Sequence, residues 1–129
     1  MDNRLKQEFT RRLSQCNKGE MIVIMYDIVF AYMDEAKESH AKEDREAYKT
    51  SIRKAQNSID ELSKSLNFQY DMSKNLNQLY MHCKTLLAKA MYQNKTDAIE
   101  EAEEVAKFFK KKIYENTATR AEREHYMEL

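Results

Sequence analysis

A chain of 129 residues with no proline and a single glycine has few means of turning sharply. Proline stops helices, glycine closes them, and the tight turns of a sheet draw on both. Their scarcity predicts long helices joined by short polar connections. The 34% of charged residues fits this, because Lys, Arg and Glu lose little side-chain freedom in a helix. One domain of this length removes roughly two-thirds of its unfolded surface from water, which allows one core and leaves no room for a second.

Charge and cysteine content narrow the function. Lys plus Arg and Asp plus Glu number 22 each, so the chain lacks the overall field that recruits nucleic acid or an anionic membrane. A partner is then held by apolar surface and shape. Cys16 and Cys83 are the only cysteines, and residues 1–9 have no apolar stretch of the kind a secretory signal needs, so the sequence predicts a cytoplasmic protein with free thiols. The most apolar run, residues 21–33, is interrupted by Asp27 and falls short of the roughly 20 residues that cross a bilayer. It reads as a buried core helix, without membrane insertion.

Apolar periodicity sets the order of elements. Leu5, Phe9 and Leu13, four apart, give a narrow stripe on a short helix within residues 1–15 that can dock but cannot form a core. Asn17 and Glu20 have the spacing of an N-cap with a reciprocal side chain, so a helix is expected over 18–41. Its apolar residues cover more than one face and call for partners on two sides. Asp44 is a candidate cap for a helix over 45–66, where Tyr48, Ile52, Ala55, Ile59, Leu62 and Leu66 form a heptad-like seam. Asp71 or Ser73 can cap a helix over 72–93 carrying Leu76, Leu79, Tyr80, Cys83, Leu86 and Leu87. Thr96 or Asp97 starts the last, over 97–115, with acids early and lysines late as the helix dipole favours. Residues 116–129 are a charged tail. The expected fold is all-α: an antiparallel up-down-up-down four-helix bundle in a single domain, with a short additional N-terminal helix.

Catalytic and metal chemistry find little support. Glu122 and His125 have the Glu-x-x-His spacing of carboxylate-bridged metal bundles, but the required second pair is missing: Lys37 precedes His40 and Leu79 precedes His82. His82 and Cys83 are adjacent, so on a helix they point about 100° apart and cannot share a proton. Cys83 reads as a small core residue. One glycine builds no phosphate loop. Lys110, Lys111 and Lys112 form a small basic stretch that reads as a solvated helix end. The sequence thus predicts a protein without enzyme activity, cofactor or metal.

Three segments resemble the flagellin-specific export chaperone family, FliS. Met21-Ile22-Val23-Ile24-Met25-Tyr26-Asp27 is similar to its Leu-x-x-Met-Leu-Tyr-Asp element, and Asn17 and Glu20 stand where the family begins that helix. Residues 52–62 resemble its Lys-Ala-Gln, Ile, Glu-Leu signature, with Ser65-Leu66-Asn67 following. Leu76-Asn77-Gln78-Leu79-Tyr80-Met81 resembles its Asn-Leu-x-x-Leu-Tyr element. The likeness spans about residues 5–115 in the family's order. It departs at Lys18, where Pro is usual, at Ile28, where Gly is usual, near Ile113, where the family has Trp, and near Phe9, where it has Tyr.

The resemblance implies a chaperone that binds the disordered C-terminal segment of flagellin, blocks premature polymerisation and hands the subunit to the flagellar export gate; a monomer or weak dimer is expected. Carried over residue by residue, Ile52, Ala55, Gln56, Ile59 and Leu62 and then Leu79, Tyr80, Cys83 and Leu87 are candidate groove or groove-backing positions, and Leu5, Phe9 and Leu13 a competing lid. Two other readings remain. One is a structural or coiled-coil-like helical module satisfied internally or by self-association; the other is a family paralogue serving a different flagellar client.

Overall fold

The computed structural model describes residues 1–66, 69 and 71–116, with only the backbone at 18–19, 71–72 and 112–116. Every regular element among them is a helix: α1 (Asn3–Gln15), α2 (Lys18–Ala41), α3 (Arg45–Lys64), α4 (Asp71–Gln93) and α5 (Asp97–Asn116). The charged tail beyond residue 116, with Glu122 and His125, lies outside the described residues, as does most of the connection at 67–70.

Side-chain caps define three helix starts. Asp2 accepts from the Leu5 amide at 2.8 Å, Asn17 from Glu20 at 2.9 Å, and Asp44 from Ala47 at 3.2 Å. Each such bond satisfies an otherwise orphaned donor and contributes about 1 kcal/mol. The Asn17–Glu20 pair is reciprocal in an unexpected form: the Asn17 amide nitrogen donates to the Glu20 carboxylate at 2.7 Å, where a capping box would return the bond to the cap's backbone.

Two helices end without glycine. After α2, Glu43 takes a left-handed φ of 59°, the Asp44 amide reaches back to the Ser39 carbonyl and the Glu43 amide to that of His40. After α4, Asn94 has φ 54° and the Lys95 amide reaches the Ala90 carbonyl. These are Schellman closures, which satisfy terminal carbonyls while reversing the chain.

The core is a ring of seams. α2 packs most extensively on α3, α3 on α4, α4 on α5, and α5 returns to α2. Ile22, Tyr26, Val29, Met33 and Ala36 face Tyr48, Ile52, Ala55, Ile59, Leu62 and Leu66, both series stepping four and three, while α4 adds Leu76, Tyr80, Cys83, Leu86, Leu87 and Ala90. The α5 contribution is mostly small, with Ala98, Ala102 and Ala106 beside Ile99, and this lets its backbone approach α4 closely enough for the Cys83 thiol to face the Ala102 carbonyl.

The second face of α2 is occupied by α1. The Met1 amino group pairs with Glu35, and Arg12 with Asp27 at 2.9 Å, so α1 runs antiparallel to α2. Phe9 and Ile24 are both buried, yet neither belongs to the main core cluster. Two-sided apolarity of residues 21–33 thus has a cause: one side faces the ring, and the other lies under the short helix.

Candidate partner-binding site

The positions singled out on α3 and α4 fall into two groups. Ile52, Ala55, Ile59, Leu62, Tyr80, Cys83 and Leu87 are at most 2% exposed and belong to the core cluster. Gln56 is half-buried, its side-chain amide donating to the Lys84 carbonyl at 3.2 Å, and Leu79 is partly buried against the core. Ile59, Leu62, Leu79, Tyr80 and Cys83 converge with α2 residues and Ala106 of α5 on an apolar cavity of about 10 Å³, too small for a ligand larger than a water molecule. In this conformation the buried members are part of the hydrophobic core.

Polar chemistry closes the outer seam between α3 and α4. Lys84 pairs with Asp60 at 2.6 Å, and the Ser63 hydroxyl donates to Asn77. Inside the ring, the hydroxyls of Tyr26 and Tyr80 meet at 2.8 Å. Burial pushes both phenols above their ordinary range, and it raises the Cys83 thiol to about 11, so near neutral pH the thiol stays protonated and unreactive.

The seam between α2 and α5 is built differently. Lys37 reaches Glu103 at 2.6 Å, Lys107 approaches the same carboxylate at 3.7 Å, and Lys110 bonds Asp27 at 2.9 Å. Lys107 and Lys110 also stand 5.9 and 5.7 Å from the centre of the Phe30 ring. Asp27 therefore serves two elements at once, holding Arg12 of α1 with one oxygen and Lys110 of α5 with the other.

α1 is fastened lightly. Of its apolar stripe only Phe9 is buried, at 7%, whereas Leu5 and Leu13 are 38% and 37% exposed. Open grooves flank it, one lined by Arg11, Arg12, Val23 and Ile24 and another by Leu5, Ala31 and Glu35. The α2 face beneath presents Ile24 and Ala31 among Glu20, Asp27, Asp34, Glu35 and Glu38. The sequence marked Leu5, Phe9 and Leu13, but it gave Asp27 no role beyond interrupting an apolar run; a carboxylate midway along such a run is the signal that a cation must reach it.

Among the described residues no three His, Cys, Asp or Glu side chains group as metal ligands, and no helix is long and apolar enough to cross a membrane. The described residues form an all-helical protein in which a ring of four helices carries a fifth docked on its side. It belongs to the FliS family: the family model described as flagellar protein FliS matches residues 1–117. Membership implies the role of a flagellar export chaperone. No curated protein matches the sequence.

Proposed function

We propose that this chaperone binds the C-terminal segment of flagellin in the cytoplasm, keeps it from polymerising and delivers it to the export apparatus, using an up-down-up-down four-helix ring as a scaffold and α1 as a lid. The observation that carries the reading is the docking of α1. A 13-residue helix is marginal by itself, and this one is held by one buried aromatic and a few ion pairs over an apolar strip that lies outside the main core. A flagellin tail that folds into an amphipathic helix would take the same strip, with its apolar anchors offsetting the cost of ordering. The core positions Ile52, Ala55, Ile59, Leu62, Tyr80, Cys83 and Leu87 would hold α2 in place behind that strip, and Gln56, on the α3–α4 seam, and Leu79 would meet a client that extends past α2 onto α3 and α4.

If lid and client compete, the closed state lowers apparent affinity by its population. Replacing Phe9 and Leu13 by Ser then leaves the ring folded and tightens binding of a flagellin C-terminal peptide, measured by calorimetry. Unchanged affinity, with residues 5–13 still protected from hydrogen exchange in the complex, would make α1 a permanent part of the fold. Loss of binding would make it a direct client contact.

A further inference from the structure

Two exposed stripes run along the outer side of the α4–α5 seam. On α4, Gln78, His82, Thr85, Lys89 and Tyr92 are all exposed and recur at steps of four and three, which puts them on one helical face. On α5, Asp97, Glu101, Glu104 and Phe108 are exposed at the same steps. The α4 stripe holds no carboxylate and the α5 stripe no cation. Each ends on an aromatic, and among the described residues Tyr92, at 82%, and Phe108, at 56%, are the most exposed large apolar side chains.

The stripes also share a register. α4 and α5 are consecutive antiparallel helices, and the Cys83 thiol faces the Ala102 carbonyl at 3.9 Å. Counting outward from that contact places Lys89 at the height of Asp97, His82 at that of Glu104 and Gln78 at that of Phe108, each to within about 1.5 Å along the axis. The dipole of α5 favours acids in its first turns, but it does not put cations at matching heights on α4. Nor do these charges close the seam itself. The α2–α5 and α3–α4 seams carry ion pairs, Lys37 with Glu103, Lys110 with Asp27 and Lys84 with Asp60, whereas among the described residues Lys89, Asp97, Glu101 and Glu104 enter none.

Opposite charge at equal height on neighbouring helices is a self-complementary pattern. A two-fold axis parallel to the helices, in the plane of contact, sets α4 of one copy over α5 of the other and keeps every residue at its height. Lys89 of each copy then meets Asp97 and Glu101 of the other, so the pairing is made twice. An axis perpendicular to the helices would lay α5 on α5 and bring the acidic stripes together, which like-charge repulsion opposes.

We propose that the outer α4–α5 face is a self-association surface on which a second copy of this chain docks about the parallel two-fold. The stripes span about 21 Å along two helices each about 10 Å wide, or about 400 Å² per copy, half of what a stable complex buries. The dimer is therefore weak and sensitive to salt. α1 docks on α2, outside this face, so association leaves it free to open.

The test is sedimentation equilibrium of the full chain at low ionic strength, up to about 1 mM protein. The native chain is expected to move from monomer toward dimer over that range and to dissociate as salt is added. K89E and D97K/E101K each set like charges against one another at both symmetry-related contacts, and each is expected to weaken association about tenfold. Mixed in equal amounts, the two variants regain opposite charge at both contacts. The mixture should associate as a heterodimer at least as tightly as the native chain, and that recovery also shows that both variants are folded. A native chain that stays monomeric throughout, variants that associate as the native chain does, or a mixture that associates no better than its components would each overturn the proposal.

Discussion

The hydroxyl of Tyr26 on α2 lies 2.8 Å from that of Tyr80 on α4, and both side chains are 2% exposed. A phenol in the middle of an apolar seam needs a partner, and here each supplies the other, tying diagonal elements of the ring. Their ionisation is suppressed by burial, and that of Cys83 beside them is too. In the unfolded chain the thiol ionises near 9 and the phenols near 10, so above those values the unfolded state binds fewer protons than the native one. Stability is therefore fully present below about pH 9 and falls as pH rises, by about 1.4 kcal/mol per pH unit for each group in its window. Urea titrations at stepped alkaline pH should show that fall beginning near pH 9, and a flat profile up to pH 11 would contradict it. Tyr80→Phe should lessen the slope while lowering stability near neutrality, since the Tyr26 hydroxyl then lacks its partner.

Ile59 is 2% exposed and lines the apolar cavity that α2, α3, α4 and α5 share. Changing it to Asp places a carboxylate where no cation reaches, at a cost of several kcal/mol unless it takes up a proton. We expect loss of the cooperative thermal transition near neutral pH, with partial recovery at acid pH. An unchanged melting temperature would mean that position 59 opens to water.

Tyr48 joins two connections. Its hydroxyl donates to the Lys95 carbonyl at 2.8 Å and approaches that of Ala90 at 3.1 Å, while His40 Nε2 donates to the Asn94 carbonyl at 2.9 Å. The α2–α3 and α4–α5 connections are thus stitched at one end of the molecule. Tyr48→Phe keeps the ring and removes the stitch; the Ala90 carbonyl keeps the Lys95 amide and Lys95 is exposed, so the loss in urea unfolding should be that of one hydrogen bond, about 0.5–1.5 kcal/mol. An effect below a few tenths would show that water replaces the hydroxyl.

These contacts mark the limit of what the sequence discloses. The 4–3 spacing from Tyr48 to Leu66 reads directly, because a helix face is a local property of the chain. The acceptors of Tyr48 lie 42 and 47 residues away, and the partners of Asp27 lie 15 and 83 away, so no local pattern points to them. The cap at Asn17 is legible from Glu20 three positions on, although the returning bond goes to a side chain. Nothing in the composition of residues 39–44 announces the left-handed Glu43, since the tight closure usually advertises itself by glycine. Gln56 and Leu79 look like their buried neighbours in the pattern, and only packing separates the half-buried positions from the core.

Glu43 also offers a simple gain. A non-glycine residue in the left-handed region carries a steric cost of roughly 1–2 kcal/mol, partly offset in glycine by its greater unfolded-state entropy. Glu43→Gly should raise stability by about 0.5–1 kcal/mol without altering the fold, seen as a higher urea midpoint at constant slope. A lower midpoint would mean that the Glu43 side chain contributes more than its backbone costs.

Asp27 is the residue that α1 and α5 share. Its two oxygens hold Arg12 and Lys110 at 2.9 Å each, with all three side chains only about one-third exposed or less. Partly exposed pairs contribute about 0.2–1 kcal/mol apiece, too little to decide whether the ring folds but enough to set how often a lightly docked helix opens. Asp27→Asn keeps the shape and removes the charge, so global unfolding should move by about 1 kcal/mol or less. The amides of α1 should exchange up to about fivefold faster, because that factor corresponds to 1 kcal/mol in the opening equilibrium. Added salt should accelerate α1 exchange in the native chain and do so less in the variant, which keeps the Met1–Glu35 pair but loses the Arg12 one. Arg12→Gln should reproduce the α1 effect alone, whereas Lys110→Gln should spare α1. If Lys110→Gln loosened α1 as much as Arg12→Gln does, the two pairs would be coupled through Asp27 and would not add independently.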